Sequence, residues 1–229
     1  MAWFSGYLKW YLSSMLLVCI HELCHLLMAY SFHFQIDKIE ILPFGAYLTL
    51  KDFFYHPIAH EICVVLAGPC SHLFIYFLIH TFTQGVYHDY LVRMNMTIFL
   101  FNLMPIYPLD GGRLIGLLLQ SMMDLQKAMT FHLKVSVFAL CVLTVFYFRI
   151  NTCIIIIYLY LQQFSYKHFI PQYLRQYYSQ ITTLYPRKRI CIHHCLEYRR
   201  GYFNYYIDNH QIIDEQKMMY SLLKSIKDI

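Results

Sequence analysis

The sequence predicts an all-α polytopic membrane protein with about five to six transmembrane helices, one of them broken, a short re-entrant β-hairpin and a small α+β cytoplasmic tail. Hydrophobic residues make up 59% of the 229 positions and charged residues only 14%, whereas soluble domains carry about 25% charged residues. The apolar residues fall in long runs that short polar segments separate. This composition excludes an ordinary soluble domain and favours a chain embedded in a lipid bilayer.

Basic residues cluster towards the C-terminal end of the chain. Seven of the 18 Lys and Arg residues lie in residues 167–200, after the last apolar run. Because positive charge beside a span marks the cytoplasmic side, we expect a cytoplasmic tail. A nucleic-acid-binding tail is the alternative explanation, but no binding motif accompanies the charge, so no nucleic-acid partner is expected. The predicted organisation is a transmembrane domain in 1–166, an amphipathic connector in 167–185 and a small tail in 186–229.

The first predicted span runs from about Trp10 to Tyr30 and carries the sequence HELCH at its centre. His21 and His25 are four residues apart, so on a helix they lie on one face, one turn from each other. That spacing lets two imidazoles bind one metal ion, and Glu22 beside them is close enough to take a proton from a metal-bound water. An ionisable residue in the middle of a span costs roughly 3 kcal/mol on insertion scales. Three such residues together indicate a zinc site inside the bilayer.

A short hairpin is predicted in residues 33–56. Apolar and β-branched residues in 39–42 and 46–50 flank a Pro-Phe-Gly break at 43–45, which favours two strands over a helix. At membrane depth a hairpin is tolerated only where it packs on protein or lines a watery cavity. We therefore expect it to be re-entrant.

A second span is predicted over about residues 57–82, with the sequence Ala-Gly-Pro at 67–69. Proline in a spanning helix can kink it, and glycine allows another backbone to come close. A packing kink and a direct catalytic role are both open for this motif.

The stretch from about Asp89 to Met123 predicts a broken helix. Its centre, FNLMPIYPLDGGRLIGLLL, interrupts an apolar helix with two prolines, a glycine pair, an asparagine and an aspartate. Unwound backbone at membrane depth is tolerated where it lines a polar cavity. Asp110 could cap a helix that restarts at Gly111. Capping does not exclude metal ligation, and the depth in the membrane favours ligation.

The remaining predicted elements are a scaffold and an appendage. Apolar runs at about 132–148 and 152–164 predict a tight helical hairpin. In the tail, residues 202–207 predict a strand, 208–210 a turn and 215–226 a helix. This small soluble appendage has little core of its own.

The candidate site combines residues from two of the predicted spans. A catalytic zinc needs three protein ligands and a fourth position for water. His21, His25 and Asp110 supply two nitrogens and one oxygen for one zinc ion per chain, and Glu22 is the expected general base. Asn102 could hydrogen-bond the oxyanion or the substrate backbone. The predicted activity is that of an intramembrane zinc endopeptidase.

Three motifs resemble those of the site-2 proteases, the M50 family of intramembrane zinc metalloproteases. They are HELCH at 21–25, AGP at 67–69 and NLMPIYPLDGG at 102–112. The similarity extends over roughly residues 11–165 and implies the zinc ligands and the catalytic glutamate named above. It also implies that the hairpin can add a strand to the substrate.

Within that family the chain is most similar to the sporulation branch, through LPFG at 42–45 and a histidine, His72, after AGP. The branch implies a membrane-associated substrate, the pro-sequence of a sporulation sigma factor, and inhibitory membrane proteins as partners. It also implies a bacterial inner or forespore-surrounding membrane. His72 replaces the asparagine of the wider family, and Cys24 stands where glycine is usual. The tail resembles a shortened half of a CBS domain.

Other functions remain open at this point. The substrate could be a membrane-spanning anti-sigma factor, or the chain could be a non-proteolytic metal transporter or an inactive binding scaffold. A transporter needs no dedicated general base, whereas Glu22 lies where a base belongs. The run CIHHC at 191–195 offers four soft ligands, but without a second such pair it favours exposed or half-buried residues over a metal site. The cysteines mostly lie in apolar runs, so a disulfide framework is the weaker interpretation.

Overall fold

The computed structural model describes residues 2–42, 45–50, 56–147, 150–180, 189–195, 197–208 and 211–226. In chain order the elements are α1 (Ala2–Ser31), β1 (Ile36–Leu42), β2 (Gly45–Leu50), α2 (Ile58–Phe82), α3 (Gly85–Asn102), α4 (Asp110–Met122), α5 (Leu125–Tyr147), α6 (Ile150–Gln180), β3 (Arg189–His193), β4 (Tyr202–Asp208), β5 (Gln211–Ile213) and α7 (Glu215–Ile226). They divide into two compact units. The first holds α1, the β1–β2 hairpin, α3 and α2 from its second residue. The second holds residues 56–58 and the described residues from Pro105 onwards.

Within the described ranges, three helices are long and apolar enough to cross a membrane. They cover Leu8–Ser31, Ile58–Phe82 and Leu125–Tyr147. Large apolar side chains point outwards from these helices, among them Phe74 and Phe138, which are 66% and 70% exposed. A bilayer would cover such side chains, whereas water would not tolerate so many of them. The chain is therefore an integral membrane protein, and the number of spans, about five to six, stays a prediction.

The first unit is organised around α1, which packs against α3 and β2. Leu17 of α1 packs with Ile75, Ile79 and Leu91 in a buried apolar cluster. Hydroxyl pairs join the N-terminal halves of α1 and α3, because Ser14 Oγ lies 2.7 Å from the hydroxyl of Tyr90. Apolar burial and these polar bonds together fix the face that α1 presents to its neighbours.

The predicted hairpin is present as an antiparallel pair of strands. Ile41 of β1 pairs with Ala46 of β2, and Leu42 pairs with Gly45. Pro43 and Phe44 of the predicted break lie outside the described residues. The strands agree with the β-branched pattern on either side of the break, and a re-entrant depth stays a prediction.

The second unit packs α5 against α4 and α6, and α7 against α6 and β4. Helix α6 continues to Gln180 with Pro171 inside it, so it runs past residue 167, where the connector is predicted to begin. The tail sheet has the order β3-β4-β5, with β3 parallel and β5 antiparallel to β4. The predicted strand and helix of the tail correspond to β4 and α7, whereas β3 and β5 were not predicted.

Candidate metal centre

Two histidines of α1 meet on one buried face of the helix. His21 is 2% exposed and His25 is 7% exposed, and their Nε2 atoms lie 3.1 Å apart. The four-residue spacing produces this contact, since residues one turn apart stack on the same face. Two imidazole nitrogens are thus directed at one point inside the first unit.

The other nitrogen of each ring has a partner from outside α1. His25 Nδ1 donates to the carbonyl oxygen of Val64 at 2.7 Å. His21 Nδ1 lies 3.1 Å from Nε2 of His72. A carbonyl oxygen only accepts, so the proton of a neutral His25 is on Nδ1 and its Nε2 carries a lone pair. A lone pair aimed at a second ring nitrogen 3.1 Å away suits a cation between them, so the pair fits a metal ion.

Gly68 of α2 gives these two rings their space. A Cβ atom at this position would lie 2.2 Å from His25 Nε2 and 2.6 Å from His21 Cε1. Real Cβ atoms do not come so close to ring atoms, so a side chain here would push both imidazoles away. The glycine of the AGP sequence is therefore a close-approach residue for the histidine pair.

The predicted general base and the predicted oxyanion donor also belong to the first unit. Glu22 follows His21 directly on α1 and is half-buried. Asn102 is the last residue of α3 and is also half-buried. Their roles stay predictions.

Asp110 is the first residue of α4, in the second unit, and is 7% exposed. The residue in the N-cap position is Leu109, and no side-chain hydrogen bond caps the helix. Asp110 is therefore a first-turn residue and not the cap that the sequence left open. A carboxylate in the first turn is stabilised by the helix dipole.

The non-helical segment before Asp110 is held by side chains of α5 and α6. Tyr107 N–H donates to Ser136 Oγ at 2.8 Å, and Ser136 Oγ donates to Gln163 Oε1 at 2.8 Å. Gln163 Nε2 in turn donates to the carbonyl oxygen of Tyr107. Backbone groups that leave a helix and become buried need such partners, because an unpaired buried amide or carbonyl is costly. The helical hairpin predicted as a scaffold thus fixes the segment that leads to Asp110.

Gly112 permits a close fold-back of the same segment. A Cβ atom there would lie 2.5 Å from the carbonyl carbon of Ile106. The second glycine after Asp110 is therefore required because the backbone of Ile106 packs directly against it.

Sequence reasoning missed His72 and Asn95 as parts of the site. Both are fully buried, and His72 Nδ1 lies 2.7 Å from Asn95 Oδ1. The only signal for His72 is its place after AGP, and Asn95 is an uncharged polar residue in an apolar run. Ser136 and Gln163 gave no signal of their own.

The run at 191–195 does not gather four ligands. His193 is buried and its Nε2 donates to Asn204 Oδ1 at 2.8 Å, whereas His194 and Cys195 are exposed. All eight cysteines are free thiols. Cys191 is half-buried and His194 and Cys195 are exposed, as predicted for this run, whereas the burial of His193 differs from that prediction.

A polar cluster instead joins His193 to the start of α5. Ligand-type atoms of Asp124, His193 and Glu197 lie within 4.8 Å of one another. Lys127 makes an ion pair with Glu197 and lies 3.9 Å from Asp124. Burial raises the pKa of Asp124, whereas hydrogen bonds from Asp124 and Lys127 lower the pKa of Glu197. Lys127 offsets one of the two carboxylate charges, and Asp124 hydrogen-bonds Glu197, so the cluster links the tail to the start of α5 through polar contacts.

Part of the chain resembles a known peptidase family. Residues 11–88 match the family model of peptidase family M50. This segment of the chain is therefore similar to the M50 peptidases.

Two curated relatives come from Bacillus subtilis (strain 168). Stage IV sporulation protein FB is 34% identical over 137 residues, which are 58% of this chain and 48% of that protein. Putative zinc metalloprotease YwhC is 31% identical, with 42% of this chain and 62% of that protein covered. The chain spans less than two thirds of either relative.

A solved structure shares the fold. The site-2 protease from Methanocaldococcus jannaschii superposes with a TM-score of 0.55 and 21% identity, over 67% of this chain and 75% of that one.

Proposed function

We propose that this chain is an intramembrane zinc endopeptidase that binds one zinc ion per chain through His21, His25 and Asp110. The observation that carries the proposal is the buried Nε2–Nε2 contact of 3.1 Å between the two histidines of α1. Inside a bilayer such a polar pair is costly and therefore functional. The M50 domain match over residues 11–88 supports the same chemistry.

The third ligand is Asp110. Its carboxylate is buried at the start of α4, next to a segment that Ser136 and Gln163 hold in a fixed conformation. Two imidazoles and one carboxylate are a ligand set that catalytic zinc uses. Zinc, when bound, would act as a Lewis acid on the carbonyl of the scissile peptide.

The other roles belong to side chains of α1 and α3. Glu22 takes a proton from the attacking water and later gives it to the leaving amine. Asn102 donates a hydrogen bond to the carbonyl oxygen that becomes negative. The β1–β2 hairpin binds the extended substrate by adding a strand to it.

The substrate is a membrane-associated pro-protein, and similarity to stage IV sporulation protein FB favours the pro-sequence of a sporulation sigma factor. Inhibitory membrane proteins regulate cleavage. The chain is multi-pass in the bacterial inner or forespore-surrounding membrane. Residues 1–166 form the protease domain, 167–185 the connector, and 186–229 a cytoplasmic tail of shortened CBS type.

The test is co-expression of the full chain with a sigma-factor precursor, followed by a gel shift of the precursor. We expect cleavage by the wild type and none by Glu22→Gln, with zinc content unchanged. Asp89→Asn is the matched control, because it makes the same chemical change on an exposed side chain of α3. Cleavage by Glu22→Gln would contradict the proposal.

Two further outcomes separate the alternatives. Cleavage of a membrane-spanning anti-sigma factor in place of the precursor would change the substrate class and keep the chemistry. Zinc uptake into vesicles that persists in Glu22→Gln, without cleavage of either substrate, would favour a metal transporter.

A further inference from the structure

A chain of buried hydrogen bonds leads away from the histidine pair, through one residue of each helix in the first unit. It begins at His21 on α1, passes His72 on α2 and ends at Asn95 on α3. His21 Nδ1 lies 3.1 Å from His72 Nε2, and His72 Nδ1 lies 2.7 Å from Asn95 Oδ1. His72 and Asn95 are both 0% exposed.

Asn95, at the far end of this hydrogen-bonded series, determines which group donates in each of its bonds. Asn95 Nδ2 donates to the backbone carbonyl oxygen of His72 at 3.0 Å. A carbonyl oxygen only accepts, so the amide orientation is fixed and Oδ1 is the atom that faces the His72 ring. Since Oδ1 also only accepts, His72 Nδ1 must donate to it.

The remaining direction follows from the chemistry of a neutral imidazole, in which one nitrogen donates and the other accepts. With its proton on Nδ1, His72 presents a lone pair on Nε2. His21 Nδ1 therefore donates to His72, and His21 Nε2 is left with a lone pair. The carbonyl of Val64 has the same effect on His25.

We propose that His72 and Asn95 are positioning residues that hold His21 in the tautomer and ring orientation needed to bind zinc. The proposal rests on the zinc site proposed above. Partners of this kind fix metal-binding histidines, and their loss costs about 10- to 100-fold in metal affinity. The hydrogen-bonded series ends in the neutral amide of Asn95, so it orients the His21 ring without adding a negative charge to the site.

The first experiment measures zinc affinity on the full chain in detergent, stripped of metal and titrated against a competing chelator. His72→Leu and Asn95→Leu are expected to bind zinc about 10- to 100-fold more weakly than the wild type. Asn95→Asp keeps an acceptor oxygen and is expected to bind more tightly than Asn95→Leu. Wild-type affinity in His72→Leu would overturn the proposal.

Tyr90→Phe is the matched control. It also removes polar bonds between α1 and α3, which are partly buried, because the Tyr90 hydroxyl donates to the carbonyl oxygen of Trp10 at 2.9 Å. It does not touch His21, so its zinc affinity should stay within about two-fold of the wild type. An equal loss in Tyr90→Phe and His72→Leu would assign the effect to general stability and would contradict positioning.

The second experiment reads the tautomers directly and needs no variant to fold. Nitrogen chemical shifts of ¹⁵N-labelled histidine are recorded on the metal-free wild type at about pH 8, where imidazoles are neutral. We expect a protonated Nδ1 in both His21 and His72, and a bare Nε2 in His72. A protonated Nε2 in His72 overturns the proposal.

The two proposals can fail separately. If the wild type binds no zinc, the proposed function fails, and the tautomers still decide the direction of the hydrogen bonds. If it binds zinc with the opposite tautomer of His72, only the positioning role fails.

Discussion

Each unit of the protein buries a polar network, and the two networks are built differently. In the first unit, uncharged groups of His72 and Asn95 lead to His21 and direct a lone pair outwards. In the second unit, Arg200 is 1% exposed and donates to Gln120 Oε1 at 2.9 Å and to the carbonyl oxygen of His56 at 2.8 Å. In our proposal the first network orients a metal-binding histidine, whereas the second contains its own cation, the guanidinium of Arg200.

The second network attaches the tail to the membrane helices. Leu125 N–H donates to the carbonyl oxygen of Tyr198 at 2.8 Å, and an Arg199 guanidinium nitrogen donates to the carbonyl oxygen of Ser121 at 3.0 Å. With Arg200, the segment 198–200 thus bonds the end of α4 and the start of α5. Buried polar groups in this protein thus serve two purposes: one network is proposed to orient a ligand, and the other holds two segments together.

The largest effect, on zinc affinity, is expected from Gly68→Ala, which would displace the histidine pair of the first network. The new Cβ would lie 2.2 Å from His25 Nε2, so zinc affinity should fall on the order of 100-fold or more. Gly116→Ala is the control in the second unit, where a Cβ would lie 3.1 Å from His132 Nδ1. Zinc titration of both variants checks the difference, and near-equal affinities would mean that the rings can move aside.

The next largest effect is expected from Arg200→Ala, which breaks the second network. It removes charged hydrogen bonds to Gln120 and His56, so unfolding free energy should fall by about 2–3 kcal/mol. Thermal unfolding in detergent measures this loss, and limited proteolysis should show faster cleavage in the tail. Gln120→Leu combined with Arg200→Met should restore part of the stability, since both polar partners are then absent. No recovery would argue that the two side chains act independently.

A smaller effect is expected from Ser136→Ala, which removes the Ser136 Oγ acceptor of the Tyr107 N–H in the second unit. A buried amide that loses its partner costs about 1–2 kcal/mol, measured by thermal unfolding. Ser121→Ala is the control because the Ser121 hydroxyl donates only to its own helix, and the bond from Arg199 to the Ser121 backbone carbonyl is kept. The cleavage rate should fall in Ser136→Ala if the segment before Asp110 shifts. An unchanged rate would show that the position of this segment does not affect catalysis.

The smallest effect is expected from Lys127→Ala. Lys127 pairs with Glu197, but its side chain is 62% exposed, and exposed ion pairs contribute little to stability because water and salt screen them. The unfolding midpoint should stay close to that of the wild type at physiological salt. A large drop would show that the ion pair, and not the buried Arg200, holds the tail.

Sequence reasoning succeeded where the local geometry of one helix decides the outcome. The histidine pair follows from four-residue spacing, and the break before α4 follows from its prolines and glycines. Helix α7 was predicted with the bounds Glu215–Ile226 that the structure has. In these cases a residue and its neighbours along the chain hold the whole signal.

It failed where the partner is distant along the chain. His21 and His72 are 51 residues apart, and His72 and Asn95 are 23 apart, so no local pattern joins them. Strand β3 pairs in parallel with β4. Its five-residue sequence alone does not predict a strand, because the pairing with β4 stabilises it. Ser136 and Gln163 were not predicted because an uncharged polar residue in a helix carries no local sign of a distant partner.

Helix α4 carries Asp110 at one end, and the contacts of Arg199 and Arg200 lie at the other. Its 13 residues form a rod about 20 Å long. Because a helix moves as a rigid unit, a force that displaces the tail would also rotate or shift the Asp110 carboxylate. A shortened chain that ends before residue 197 would lose these contacts, so its activity would not represent that of the whole protein.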